Sequence, residues 1–257
     1  MSEEQIRLRL LSAGIENARF EAQQLFQALT GDALLAAVEK RCTGYPLQYI
    51  LGEWDFYKES YEVSEDCLIP RADTELLVEK AISMLPVGAR FLDLCTGSGC
   101  VAISTLCQRQ DVSAVGVDLF EATLALAGRN AARNGVSDRF VLMRADVLRE
   151  PPQELQSVSF DAIVSNPPYI RTDVIENLQR EVRYEPMAAL CGGEDGLDFY
   201  RAILDRWLCL LARGGFVLFE IGYDQGEALI TLGRQKGLTV NVFPDLGGND
   251  RVVLLKK

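Results

Sequence analysis

The sequence contains, at residues 160–170, the stretch Phe-Asp-Ala-Ile-Val-Ser-Asn-Pro-Pro-Tyr-Ile. Its apolar run from Ala162 to Val164 predicts a buried parallel strand, which ends at Asn166 because two prolines follow. A proline cannot donate to a strand ladder and favours extended geometry in the residue before it. The pattern therefore places Asn166 at the carboxyl end of a strand, the edge at which open α/β sheets bind ligands.

This strand end carries groups that suit an NH2 group. Asn166 offers an amide oxygen, Pro167 offers a backbone carbonyl that no neighbouring N–H need occupy, and Tyr169 offers a ring face. The same residues are equally typical of a Pro-Pro turn with a capping asparagine and a packing tyrosine. The stretch alone leaves both interpretations open.

Regular alternation of strands and helices predicts an α/β fold. From Arg90 onward, short apolar runs alternate with helical patterns, which is typical of a parallel sheet with helices on both faces. The expected strands are 91–94, 114–117, 140–143, 162–164 and 215–221, and the expected helices are 100–109, 121–134 and 198–212. Residues 239–243 and 252–255 flank a Gly-Gly-Asn-Asp turn and predict an antiparallel hairpin at the sheet edge.

The residues before this alternation predict a small helical region and a linker. Apolar residues recur at helical spacing up to about residue 40, residues 44–52 break that pattern, and residues 54–68 alternate as in a β-hairpin. We therefore expect a helical domain at 1–53, a β-hairpin linker at 54–70 and a large domain at 71–257. The first helix of the large domain is expected to be capped by Asp73 or Thr74.

The composition excludes several classes of site. The chain has 257 residues, a net charge of −11 and no histidine. The lack of histidine excludes Ser-His-Asp and Cys-His nucleophilic machinery and His-ligated metals, and no cluster of side chains suggests a metal site. The negative charge argues against broad binding to a nucleic-acid backbone, which Lys and Arg normally drive.

The sequence also predicts the compartment. It starts with an acidic segment rather than a basic one, so no signal peptide is expected, and no apolar stretch approaches the ~20 residues that span a bilayer. The seven cysteines are scattered and form no Cys-x-x-Cys pair. These features predict a cytoplasmic protein with reduced thiols and no membrane partner.

A glycine loop separates the first expected strand of the large domain from the following helix. It consists of Cys95, Thr96, Gly97, Ser98 and Gly99. The glycines allow a tight turn and close approach of the backbone to a ligand. Cys95 stands where a dinucleotide motif would have its first glycine, so a dinucleotide site is disfavoured. A loop that needs glycine only for its geometry remains an alternative.

Two acids follow the next two strands. Asp118 can accept both hydroxyls of a ribose, Asp146 can accept an adenine amino group, and Val147 can cover the adenine ring. Either acid alone could be a helix cap. Together beside a glycine loop they indicate an adenosine ligand without a pyrophosphate, which fits S-adenosylmethionine (SAM) better than NAD or ATP.

These motifs resemble those of class I SAM-dependent methyltransferases that act on an amino or amide nitrogen. Further segments resemble the peptide chain release factor glutamine methyltransferases, also called the HemK family. They are Gly-Tyr-Pro-Leu-Gln-Tyr-Ile at 44–50, Ile-Pro-Arg-Ala-Asp-Thr-Glu at 69–75, Tyr-Glu-Pro at 184–186 and Gly-Gly-Glu-Asp-Gly-Leu-Asp at 192–198. The resemblance covers nearly the whole chain and implies a Rossmann-like, seven-stranded methyltransferase sheet.

The resemblance also implies an activity and a set of partners. The activity is methyl transfer from SAM to the glutamine side-chain amide of the Gly-Gly-Gln motif in class 1 release factors, with S-adenosylhomocysteine as the product. The helical domain would dock the release factor, with no direct contact to nucleic acid, and the protein is expected to be a monomer.

The family pattern assigns roles to individual residues. SAM would contact Cys95, Thr96, Gly97, Ser98, Gly99, Asp118, Asp146, Val147 and Asn166. The glutamine would be held by Asn166, Pro167, Pro168 and Tyr169, of which Asn166, Pro167 and Tyr169 are the expected catalytic residues. Cys95 and Val147 depart from the glycine and the aromatic residue of some family members.

Two alternative functions and the roles of three residues stay open at this point. Asn-Pro-Pro-Tyr also occurs in methyltransferases that act on adenine or guanine in DNA or RNA, and a SAM-binding interaction protein without chemistry is a further hypothesis. Arg71 and Glu75 could orient the active site or pair with each other. Glu220 is expected at the same sheet edge as a candidate hydrogen-bond acceptor.

Overall fold

A seven-stranded sheet and a separate two-stranded hairpin form the framework of the chain. The structure, a computed structural model, describes residues 1–257. Its strands are β1 Glu53–Phe56, β2 Glu59–Glu62, β3 Arg90–Leu94, β4 Ser113–Asp118, β5 Phe140–Arg144, β6 Phe160–Ser165, β7 Leu211–Glu220, β8 Thr239–Pro244 and β9 Asp250–Lys256. The large sheet has the order β5-β4-β3-β6-β7-β9-β8, with β9 antiparallel to β7 and β8. The predicted fold class is confirmed.

Alternate residues of the central strands enter two separate cores. Phe91 of β3 and Val164 of β6 lie in the core on one face, whereas Leu92 and Ile163 lie in the core on the other face. Successive side chains of a strand point to opposite faces, so both faces of this parallel sheet are covered by apolar packing. The chain runs from β3 outward to β5 and then returns to β6 beside β3. This reversal opens a crevice at the carboxyl ends of β3 and β6, where ligands bind in such sheets.

Helices cover the sheet and form the N-terminal region. They are α1 Glu3–Ser12, α2 Ala18–Ala28, α3 Gly31–Cys42, α4 Leu47–Leu51, α5 Glu75–Met84, α6 Cys100–Gln108, α7 Glu121–Arg133, α8 Gln153–Gln156, α9 Thr172–Ile175, α10 Met187–Leu190, α11 Asp198–Ala202 and α12 Gly226–Gln235. Single 3-10 turns lie at 72–74, 182–184 and 208–210, and a π-helical turn lies at 203–207. None of these helices combines the length and the hydrophobicity that a bilayer span requires.

The first helices enclose a core of their own. Ile6, Leu10, Leu25 and Val38 are buried in it. The segment 44–52, expected to break the helical pattern, contains α4, which Pro46 precedes and Gly52 ends with a left-handed φ of 75°. The expected β-hairpin is present as β1 and β2. The domain boundaries at 53/54 and 70/71 stay predictions.

A buried arginine joins the helical region to the segment that follows the Asn-Pro-Pro-Tyr motif. The Arg41 guanidinium is 2% exposed and donates to the carboxylates of Glu21 and Glu181. The Tyr184 ring packs edge-on against Tyr45, with 5.2 Å between the centroids. These contacts hold residues 181–184 against the N-terminal helical region.

The stretch expected as one helix at 198–212 is shorter and irregular. After α11 the chain passes through the π and 3-10 turns, and β7 begins at Leu211 rather than at Gly215. Leu211 pairs with Phe160, and the register then shifts so that Phe216 pairs with Ala162. Gly214, at a φ of +81°, lies within this bulge. Tertiary pairing with β6 therefore overrides the helical pattern of the leucines.

Candidate active site

A cavity of about 440 Å³ lies at the carboxyl ends of the central strands. It is lined by nine of the residues predicted for the site: Cys95, Thr96, Gly97, Ser98, Asp118, Asp146, Val147, Asn166 and Pro168. Gly99, Pro167 and Tyr169 are not part of this lining. Gly99 precedes α6, and the other two lie beside Asn166 and Pro168 in the chain. The volume is within the range of small-molecule sites in proteins.

The loop between β3 and α6 is held in left-handed backbone conformations. Gly97 has a φ of 57° and Gly99 a φ of 79°, which glycine adopts without steric cost. Cys95 has a φ of 59°, a conformation that costs a residue with a Cβ roughly 1–2 kcal/mol. Cys95 therefore adopts the backbone shape of the glycine that it replaces in the motif.

Asp93, near the end of β3, stabilises this loop through a hydrogen bond. Its side chain is 1% exposed, and its Oδ2 accepts the hydroxyl of Thr96 at 2.6 Å. Burial raises the pKa of Asp93 to about 7, against the opposing effect of the Thr96 hydroxyl. A carboxyl group at the end of β3 thus ties the glycine loop to the sheet.

The two predicted acids lie at the tips of β4 and β5. Asp118 accepts the backbone N–H groups of Gly97 at 3.0 Å and Phe120 at 3.2 Å, one on each carboxylate oxygen. Each oxygen has two lone pairs, so both retain an acceptor position. Burial raises the pKa of Asp118, and the backbone donors oppose this shift. Asp146 accepts the N–H of Leu148 at 2.9 Å.

The charge of the lining distinguishes between classes of ligand. Its only basic residue is Arg71, whereas its acidic residues are Asp66, Asp93, Asp118, Asp146 and Asp198. Arg71 is bound to the carboxylate of Glu185. Pyrophosphate and triphosphate groups need cations or a phosphate loop, so this lining favours an uncharged or cationic ligand.

Arg71 and Glu75 do not pair with each other. Glu185 accepts from Arg71 and also from the backbone N–H of Ile69 at 3.1 Å. Glu75 instead accepts the N–H of Tyr57 at 3.0 Å. The Tyr-Glu-Pro segment at 184–186 therefore anchors the entry to α5 beside the cavity through Glu185.

The amide group of Asn166 is oriented by Thr74. Asn166 Nδ2 donates to Thr74 Oγ1 at 3.1 Å, and neither Asn166 Oδ1 nor the Pro167 carbonyl receives a hydrogen bond from the protein. Thr74, one of the two residues expected to cap α5, occupies its N-cap position, but its hydroxyl makes no capping hydrogen bond. The hydroxyl contacts Asn166 instead, and two consecutive residues at the strand end each keep an acceptor without a protein donor.

Tyr169 is held by groups from β7 and the turn after it. Its hydroxyl donates to Glu220 Oε1 at 3.3 Å, and Gln225 Nε2 donates to its carbonyl at 3.0 Å. Glu220 is 1% exposed, and burial raises its pKa to about 7. Its position at the end of β7 agrees with its expected place at the same sheet edge.

Curated relatives match nearly the whole chain. A release factor glutamine methyltransferase from Geobacter sulfurreducens is 40% identical over 265 residues, which cover 95% of this chain and 91% of the relative. A protein of the same name from Moorella thermoacetica is 37% identical over 269 residues, which cover 96% of this chain and 94% of the relative. The chain belongs to the release factor glutamine methyltransferase family. The resemblance inferred from the motifs is confirmed.

Other comparisons agree with this methyltransferase assignment. The family model described as methyltransferase small domain matches residues 72–182. The crystal structure of a methyltransferase from Pyrococcus furiosus has a TM-score of 0.58 and 18% identity, covering 77% of this chain and 88% of that one, which shows a common fold. Membership in a methyltransferase family implies that this chain uses SAM.

Two residues of this candidate site were missed in the sequence. Asp93 has a signal, because it is a charged residue inside the apolar run 91–94 directly before the glycine loop. Thr74 has none, because a threonine before a helix is ordinarily interpreted as a cap.

Proposed function

We propose that this protein transfers a methyl group from SAM to the side-chain amide nitrogen of the glutamine in the Gly-Gly-Gln motif of class 1 release factors. The observation that carries the proposal is the pair of unpaired acceptors, Asn166 Oδ1 and the Pro167 carbonyl, beside the cavity. A primary amide has two N–H donors, which this pair can receive. The name of the curated relatives supports the same substrate.

The residues that line the cavity fit SAM. SAM carries a sulfonium and an ammonium group, and five aspartates with one paired arginine form a suitable surrounding. We assign the free acceptor positions of Asp118 to the ribose hydroxyls, and Asp146 with Val147 to the adenine. The loop 95–99 and Asn166 would contact the remainder of the molecule. When bound, SAM supplies an electrophilic methyl group.

Asn166 and Pro167 would orient the glutamine nitrogen for attack. An amide nitrogen is a weak nucleophile because its lone pair is delocalised into the carbonyl. With one N–H donated to Asn166 Oδ1 and the other to the Pro167 carbonyl, the remaining face of the nitrogen points toward the cavity. Such positioning can contribute roughly 7–11 kcal/mol to lowering a barrier.

Tyr169 and Pro168 would complete the glutamine site. The Tyr169 hydroxyl is held by Glu220, so the orientation of its ring is fixed before substrate binds. We propose that this ring stacks on the glutamine side chain, and that the rigid Pro168 keeps the backbone extended.

The reaction needs no strong base. The new N–C bond would form as the S–C bond breaks and S-adenosylhomocysteine leaves, and the N-methylated amide would then be cationic and strongly acidic. It loses one of the protons held at Asn166 Oδ1 or the Pro167 carbonyl to solvent. The absence of histidine from the chain is compatible with this route.

The helical region is proposed as the part that docks the release factor. With the domain division 1–53, 54–70 and 71–257, the Arg41 contact to Glu181 connects the docking region to the segment after the catalytic motif. We propose that the protein acts as a monomer and does not contact nucleic acid directly, in keeping with its net charge of −11.

Methyl transfer from labelled SAM tests the proposal. The substrates are an intact class 1 release factor, its Gly-Gly-Ala variant, duplex DNA and structured RNA. Label on the intact factor alone is the expected result. Label on a nucleic acid, with a steep salt dependence, would favour the alternative amino methyltransferase activity instead. Equal label on the Ala variant would show that the glutamine is not the acceptor.

A further inference from the structure

A chain of polar contacts runs from a buried carboxylate to the catalytic asparagine. Glu220 Oε1 accepts the Tyr169 hydroxyl, whereas its Oε2 is buried and has no hydrogen-bond partner. The Thr74 hydroxyl lowers the pKa of Glu220, against the larger raising effect of burial, so it is a donor available to this unpaired oxygen. Thr74 Oγ1 in turn accepts Asn166 Nδ2, and the Thr74 side chain is 2% exposed.

We propose that Thr74 and Glu220 are positioning residues that set which end of the Asn166 amide group faces the glutamine. This inference rests on the proposed function and deepens it. Neither residue needs to touch the glutamine, because each acts through Asn166 or Tyr169.

The direction of the hydrogen bonds follows from the ionised carboxylate. A carboxylate accepts but cannot donate, so it directs the Thr74 proton toward itself and leaves the Thr74 lone pairs for Asn166. Asn166 must then turn its NH2 group toward Thr74 and its oxygen outward. In the opposite orientation, two N–H groups would face the two N–H groups of the substrate, and the acceptor would be lost.

Glu220 also orders the other end of the glutamine site. By accepting the Tyr169 hydroxyl it connects the ring to the same carboxylate that fixes Thr74. A buried acceptor left without a donor costs about 1–3 kcal/mol, which drives both hydroxyls toward Glu220. The Glu220 carboxylate thus orients both Thr74, which contacts Asn166, and the Tyr169 ring.

The charged groups around Glu220 determine how the orientation of Asn166 responds to pH. Arg251 of β9 favours the ionised form of Glu220, and Asp73 of the 3-10 turn disfavours it. Tyr169, Tyr200 and Cys100 also face Glu220, and burial keeps their own protons in place by raising the pKa of each group. A protonated Glu220 could donate to Thr74 or Tyr169 and release Asn166, so activity is expected to fall below about pH 7.

The experiment compares Thr74→Val, which removes only the hydroxyl, with Thr74→Ser, which retains it. Thr74→Val is expected to lower kcat about 10–100-fold, corresponding to a lost hydrogen bond that holds the acceptor. SAM affinity is expected to stay within about threefold, and Thr74→Ser is expected to recover most of kcat. Glu220→Gln is expected to remove the acid limb of the kcat profile, whereas Asp93→Asn is expected to retain it.

Two results would overturn the inference. One is a Thr74→Ser variant as impaired as Thr74→Val, and the other is an acid limb that survives in Glu220→Gln. The side-chain amide signals of Asn166 in ¹H–¹⁵N spectra provide a test that needs no release factor. These signals are expected to shift or broaden in Thr74→Val and to remain in Thr74→Ser. Unchanged signals in Thr74→Val would reject the positioning role even if the release factor is labelled normally.

Discussion

Replacing Asp93 by asparagine is expected to remove a pH-dependent penalty on folding. Asp93 is buried beside the glycine loop, and its pKa is raised from 3.8 to about 7, mainly by burial. Below pH 3.8 the carboxyl is protonated in both folded and unfolded chains. As the pH rises from there to about 7, the unfolded chain loses its proton first, so the free energy of unfolding decreases. Above about pH 7 the penalty is constant.

The size of the penalty follows from the displacement of the titration. A shift of about three pH units at ~1.4 kcal/mol per unit gives about 4 kcal/mol at high pH. About half of it, ~2 kcal/mol, develops between pH 5.5 and pH 8.5, because only the upper part of the titration lies in that range. Asparagine has no charge to bury, and its Oδ1 can still accept the Thr96 hydroxyl.

Urea denaturation of both proteins at about pH 5.5 and pH 8.5 measures this difference. The free energy of unfolding of Asp93→Asn relative to the parent protein is expected to be ~2 kcal/mol more favourable at the higher pH than at the lower one. Other titrating groups, Glu220 included, are common to both proteins and cancel in the comparison. A difference near zero, or one of opposite sign, would refute the assignment of Asp93 as a buried carboxyl with a raised pKa.

Three further substitutions test other parts of the structure. Asp118→Asn is expected to weaken SAM binding about 10–100-fold by calorimetry, and unchanged affinity would exclude the ribose contact. Asn166→Ala is expected to lower kcat on the release factor about 100-fold with the melting temperature nearly unchanged, and an active variant would contradict the role of Asn166 in holding the glutamine amide. Arg41→Met is expected to lower the free energy of unfolding by about 3–5 kcal/mol in urea denaturation, because it leaves Glu21 without its cation near Glu181. The control Glu181→Gln keeps Arg41 paired with Glu21 and is expected to lower it by less than about 1.5 kcal/mol.

The strand end at Asn166 could be predicted because local rules determine it. Two prolines end any strand, and the apolar run before them has no polar face to expose. Because successive parallel strands align their carboxyl ends, the same reasoning placed Asp118 and Asp146 near Asn166, and all three line one cavity. Chain order and strand direction were sufficient for this part of the site.

The contacts that fix the site could not be predicted because they join distant parts of the chain. Asn166 and Thr74 are separated by 92 residues, and Arg71 and Glu185 by 114. Local patterns indicated a helix cap for Asp73 or Thr74, and they left Arg71 either orienting the active site or pairing with Glu75. The tertiary fold brings a partner from a distant part of the chain to each side chain, and that partner determines the hydrogen bond.

The predicted boundaries of helices and strands differ from the structure where two local preferences overlap. The leucines at 208–211 fit a helix, but Leu211 is the first residue that can pair with Phe160 in the ladder. Similarly, the segment 44–52 contains Pro46 and two glycines, yet Leu47–Leu51 forms a short helix between them. In both cases the packing of the completed fold decides between conformations that the sequence leaves close in energy.

The chemical position of the transferred methyl group tests the central claim most directly. Release factor methylated with labelled SAM would be digested, its labelled peptide located, and that peptide hydrolysed in strong acid. A methyl group on the glutamine amide nitrogen is released as labelled methylamine, and the peptide is expected to be the one that contains Gly-Gly-Gln. Label that remains on a lysine or arginine, or that leaves as methanol from a carboxyl ester, would contradict the account.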